Sequence, residues 1–218
     1  MIAKYSGSLT GEPIMLHETR TVARMLLKGL TQQEIKEQIM EDNDFGYKTK
    51  KSIPKRLSSI FRRLKRFDEE LLKIIVDDLS GDGKILIVYA IALENRLFSE
   101  LISENIFSKF STREYEYPKT IILKFINEKG ELNEQIGSFK EYTKYRLSIS
   151  MFNILKEAGI IIIKEKVPYL QSINVSYTLG NLFEKRKDLR FLKNLGASVW
   201  KLKKELICWK RNYKNLDS

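Results

Sequence analysis

The 218-residue sequence predicts a mainly α protein: a helical bundle over residues 1–110, then a winged-helix-like segment with one β-hairpin and basic C-terminal helices over 111–218. Three observations carry this. Apolar residues recur at helical spacing along most of the chain, β-branched runs follow Gly159, and glycine, proline or capping residues punctuate the segments between. At 43% hydrophobic residues the chain has enough apolar surface to bury a real core.

The opening Tyr5 to Pro13, with Gly7 and Gly11, reads as an extended arm or loop. Val22, Ala23, Leu26 and Leu27 then share one face of a helix from about Glu18 to Lys28, with Gly29 placed to end it in a left-handed conformation. Thr31 and Glu34 form a capping box for a second helix through Ile35 and Ile39 to about Asp42. Asp44 to Lys50 connects it to the next helix, a linker too long for a simple helix-turn-helix. Helices are expected over 69–79 and 84–110, separated by Ser80-Gly81-Asp82-Gly83; the second is apolar nearly all round through Ile85 to Leu93 and suits the centre of a bundle. Asp77, Asp78 and Asp82 read as a solvated helix end and not as a metal site, because adjacent acids on a helix point different ways.

In the second half Pro118 opens a helix that Lys129-Gly130 closes, a short helix follows near Leu132 to Ile136, and a longer one runs from Phe139 to Ala158. Ile160 to Glu165 and Ile173 to Tyr177, separated by a Pro168-bearing turn, read as a hairpin. Helix, helix, longer helix, hairpin is the order of a winged helix-turn-helix. On the longer helix, Leu147, Met151, Ile154, Leu155 and Ala158 make one apolar stripe, and Tyr142, Tyr145, Ile149 and Phe152 another. Thr143, Arg146, Ser150, Asn153 and Glu157 are left for the exposed face. The first four have the chemistry that hydrogen-bonds base edges and phosphates, which makes them candidate nucleic-acid-binding residues. The last segment, Asn181 to Ser218, holds eleven basic and four acidic residues, with helices suggested around Leu189 and Leu192 and around Val199, Leu202 and Leu206.

The feature that sets the chain apart lies at residues 48–66, which carry nine Lys or Arg and no Asp or Glu. Ser52 is placed to cap a helix with Pro54 in its first turn, running to about Phe67. Ile53, Leu57, Ile60, Phe61, Leu64 and Phe67 then form one stripe. Lys51, Lys55, Arg56, Arg62, Arg63, Lys65 and Arg66 crowd the opposite face, with Lys48 and Lys50 just before it. Ser58 and Ser59 lie within the charged face, small enough to let a phosphate backbone approach. Without glutamates at i, i+4 spacing the repulsion among these cations is left standing, which points to an anionic partner more than to a solvated surface.

The formal net charge of +11 and pI near 9.5 favour nucleic acid or an anionic surface. Residues 1–109 carry 18 basic against 16 acidic side chains, so the helix concentrates the positive field of that half. One cysteine, Cys208, excludes an intramolecular disulfide, and one histidine, His17, leaves too few ligands for the usual zinc sites, so neither metal nor cofactor is expected. No phosphate-cradling glycine loop and no nucleophile–base arrangement is present, which argues against an enzyme. The longest apolar run, Ile85 to Leu93, falls far short of the ~20 residues of a membrane span, and with no signal segment at the N-terminus the protein is expected in the cytoplasm.

Across nearly its full length the sequence resembles the BrxA-like small proteins of bacterial BREX phage-exclusion systems. The resemblance rests on Tyr5 to Thr10, the run Glu18 to Gly29 (ETRTVARMLLKG), Ser52 to Leu64 with Lys55-Arg56 and Arg63-Leu64, and Ile154 to Ile160 (ILKEAGI), in that order and spacing. It implies a compact helical protein, similar in its helical part to the antitermination factor NusB, that binds double-stranded DNA without being an enzyme. Other BREX components, a methyltransferase and large ATPases among them, are the implied partners. RNA binding stays open beside DNA, since both polymers present phosphates. So does an assembly adaptor whose basic face docks an acidic protein surface.

Overall fold

The computed structural model describes residues 5–78 and 80–197. The arm from Tyr5 leads into α1 (Leu16–Leu27), α2 (Gln32–Asp42), α3 (Ile53–Leu64), α4 (Glu69–Asp77) and α5 (Asp82–Glu94). Then come α6 (Arg96–Glu100), a π-helical turn (Leu101–Ile106), α7 (Phe107–Thr112), α8 (Lys119–Leu132), α9 (Glu134–Gly137) and α10 (Glu141–Glu157). The hairpin of β1 (Ile161–Lys164) and β2 (Val167–Leu170) precedes α11 (Tyr177–Lys185) and α12 (Leu189–Asn194). The protein is mainly α with one antiparallel hairpin, as its apolar spacing predicts.

Local chemistry sets most boundaries. The capping box of Thr31 and Glu34 forms with both reciprocal bonds, and Gly29 adopts a φ of +84° at the end of α1. Asp68, Asn133 and Ser176 each accept a backbone N–H in the first turn of α4, α9 and α11. Asn95 explains why the helix expected over 84–110 is broken: its side chain accepts the N–H of Phe98 at 3.0 Å, ending α5 and starting α6. The stop expected at Lys129-Gly130 is overrun to Leu132. The turn of α8 at Gly130 packs against α9, where a Cβ on Gly137 would lie 2.8 Å from the Gly130 carbonyl oxygen, so the backbones approach this closely only because Gly137 lacks a side chain.

The hairpin sits earlier than its composition suggests. Glu165 and Lys166, both at positive φ, make the tight turn, and Pro168 lies within β2 opposite Ile163. Ile173 to Val175 lies in no strand, the Ile173 N–H donating to the Leu195 carbonyl at 3.4 Å, and Tyr177 already begins α11. Proline is tolerated because it has no N–H to leave unmatched, while its carbonyl accepts the Tyr117 N–H at 2.8 Å.

α5 is buried from Ile85 through Ala92 and contacts α1, α3, α4, α6 and α10. Contacts also tie the two halves of the chain. Tyr89 packs on Phe183 and Phe191, with its hydroxyl donating to Asp188 at 2.5 Å. Asp82 is buried and accepts the Ser176 N–H at 3.1 Å, so it is a structural tie and not the solvated helix end expected of it. The expected segment with Val199, Leu202 and Leu206, together with Trp200, Cys208, Trp209, Lys201, Lys203 and Lys204, lies outside the described residues.

Candidate nucleic-acid interface

α3 is entered through a 3-10 turn, Lys50–Ser52, and not through a capping bond from Ser52, whose side chain makes none. Pro54 occupies the first turn as expected. Ile53, Leu57, Ile60, Leu64 and Phe67 are buried and Phe61 is half-buried, so the apolar stripe faces the core against α1 and α5. Lys48, Lys50, Lys51, Lys55, Ser58, Arg62, Lys65 and Arg66 are exposed, and Arg56 is half-exposed over the ring of Tyr47 at 5.2 Å.

Two predicted site residues are not on this surface. Ser59 and Arg63 are buried, at 4% and 2% exposure. The arm covers them. Glu12 accepts the Ser59 hydroxyl at 2.9 Å and an Arg63 N–H at 3.1 Å, and Arg63 also donates to the carbonyls of Pro13 and Ile14 at 3.2 Å each. Arg62 reaches Glu12 at 3.3 Å and Glu94 at 3.1 Å while its side chain stays 45% exposed. The acidic partners missing from the helix itself therefore come from elsewhere in the chain, and they neutralise two of its cations. Burial lowers the Arg63 pKa although Glu12 opposes it, and burial raises that of Glu94 despite Arg62. Among the described residues Lys51, Lys55 and Lys65 make no ion pair, and Lys50 and Arg66 reach only backbone carbonyls, of Glu41 and Leu93.

The candidate reading face of α10 is also largely covered. Ser150 is 7% exposed and accepts the Gly11 N–H at 2.9 Å, and Glu157 accepts the Ile14 N–H at 3.2 Å. A Cβ on Gly7 would sit 3.4 Å from the Thr143 methyl, and one on Gly11 would sit 3.8 Å from Arg146 Nη2. Thr143 and Arg146 are half-buried, and Asn153 alone of the four is exposed. Tyr142 and Tyr145, expected on an apolar stripe, are instead exposed. Thr143, Arg146, Ser150 and Glu157 of α10 thus face the arm.

This arrangement brings together seven cations across Lys50 to Arg66 on an open surface, Arg62 among them though it is ion-paired. Among the described residues no three His, Cys, Asp or Glu side chains are grouped to hold a metal, and no helix is long and apolar enough to cross a membrane. A family model, BrxA, matches residues 3–187. The chain belongs to the BrxA family. A BREX protein BrxA of Bacillus cereus (strain H3081.97) is 29% identical over 157 residues, covering 72% of this chain and 78% of that protein. A BREX protein BrxA of Escherichia coli O9:H4 (strain HS) is 21% identical over 155 residues, covering 71% and 73%. The fold is shared with an uncharacterized protein from Magnetospirillum magneticum, whose crystal structure aligns with a TM-score of 0.74 at 17% identity over 88% of this chain and 97% of that one.

Proposed function

We propose that the chain is a non-catalytic component of a BREX-type phage-defence system that binds double-stranded DNA mainly through phosphate contacts from the solvent face of α3. The observation that carries the reading is the pairing pattern. Arg62 and Arg63 have carboxylate partners, whereas Lys51, Lys55 and Lys65 are exposed and have none among the described residues. Like charges held together on a helix face repel, and a polyanion that releases its own counterions on binding removes that cost. Family membership supports the defence context, and the relatives' names place them in BREX systems. Other BREX components are its expected protein partners.

With the α10 face covered by the arm, contacts to base edges have little support, so recognition should be indifferent to sequence. Gel-shift titrations on several unrelated duplexes across a salt series test this. Similar affinities that fall steeply with salt are the expected result, and a flat salt response, or binding confined to one duplex, would contradict it.

A further inference from the structure

The arm closes one flank of α3 and leaves the other open. On the open flank, a cleft of about 670 Å³ separates α3 from the first turns of α2. Gln32, Gln33 and Lys36 line it from α2, and Ser58, Arg62 and Lys65 from α3, above the half-buried ring of Phe61. Three cations and no carboxylate border this space. Two other depressions along α3 each include an acid, Glu94 in one and Glu12 in the other.

α2 is otherwise an acidic helix, with Glu34, Glu37, Glu41 and Asp42 against the single cation Lys36. Two of those acids are already engaged, Glu34 in the capping box and Glu37 by the Gln33 amide. Lys36 is exposed and makes no ion pair among the described residues, although acids precede and follow it on its own helix. It lines the cleft together with Lys65. Cations on two helices, with small and amide side chains between them, suit a phosphodiester strand, which is anionic along its length and accepts hydrogen bonds from many donors.

We propose that this cleft is a second phosphate seat for the same duplex, with Lys36 and Lys65 supplying charge and Gln32 and Gln33 supplying donors. The inference rests on the DNA-binding reading above and extends the footprint from one helix to two. The test uses the full chain and random-sequence duplex DNA, titrated at several salt concentrations. Lys36→Ala should weaken binding and lower the magnitude of the log–log salt slope by about 0.9, the share of one neutralised phosphate, with an unchanged melting temperature. Lys36→Glu should weaken binding further, and Glu37→Gln should tighten it. Lys55→Ala on the midline of α3 is the control. If Lys55→Ala weakens binding and Lys36→Ala leaves affinity and slope intact, the seat is overturned while the α3 reading stands. If neither variant changes anything, both fall. A Lys36→Ala defect seen with single-stranded RNA but not with the duplex also overturns the proposal.

Discussion

Arg63 sits among the cations of α3 by sequence and inside the protein by structure. On a helical wheel it lies about 80° from Ile53 and about 60° from Ile60, at the margin of the apolar stripe instead of opposite it. That angle was legible in the sequence. What was not legible is that Glu12, 51 positions earlier, would cover that margin. Arg63→Ala would empty a buried site and leave the Pro13 and Ile14 carbonyls without their donor, while Glu12 keeps Arg62 and Ser59, so it should cost about 1–3 kcal/mol for each acceptor left unpaired, read by chemical denaturation. Glu100 gives a pH prediction. Its burial alone would raise its pKa, but hydrogen bonds from Lys129, Arg96 and Tyr5 outweigh that and hold it below the ordinary carboxylate range. A carboxyl with a depressed folded-state pKa contributes stability that is present above its unfolded pKa and is lost as pH falls through the folded one. Melting of the wild type should therefore fall on acidification through that window, and Glu100→Gln should show a lower but flatter profile there. Equal acid slopes for both proteins would show that Glu100 does not contribute.

Elements with strong local signals were legible: the capping box of α2, Pro54 in α3, the apolar length of α5, and a hairpin after Gly159. Two departures from the expected elements have local causes that apolar spacing does not show, and a third was decided by a distant segment. Asn95 split one expected helix by offering its side chain to the Phe98 N–H, and the turn at Glu165 and Lys166 displaced β2 so that Pro168 fell inside a strand. The largest error concerned α10, whose short polar residues had the composition of a reading face but accommodate the arm. Ser150→Ala would remove the acceptor of the Gly11 N–H, at a cost of about 0.5–1.5 kcal/mol because Gly11 is exposed to water, with duplex affinity unchanged in the folded fraction. Weakened affinity at full stability would return α10 to the interface. On α3, Leu64 is 4% exposed, and Leu64→Ala should cost about 2–5 kcal/mol in a thermal melt while sparing binding in molecules that remain folded.

At the scale of the whole molecule, the arm and α5 neutralise Arg62 and Arg63 with Glu12 and Glu94, while Lys51, Lys55 and Lys65 beside them are exposed and make no ion pair among the described residues. The candidate site was partly legible. Charge density pointed to α3, and Lys55 on the helix, Lys51 in the 3-10 turn before it and Arg66 just after it are all exposed. Its flanks were not legible, because Glu12 of the arm, Glu94 of α5 and Lys36 of α2 reach α3 only through tertiary folding. The most direct test replaces Lys51, Lys55 and Arg66 together by Ala and measures duplex DNA affinity at several salt concentrations beside a thermal melt. Exposed substitutions of this kind usually shift stability by no more than about 0.5 kcal/mol each, so the melt should stay close to wild type. Affinity should fall, and the log–log salt slope should shrink in magnitude by roughly 0.9 for each phosphate no longer neutralised. Wild-type affinity with a wild-type slope would contradict the account and remove α3 as the nucleic-acid surface.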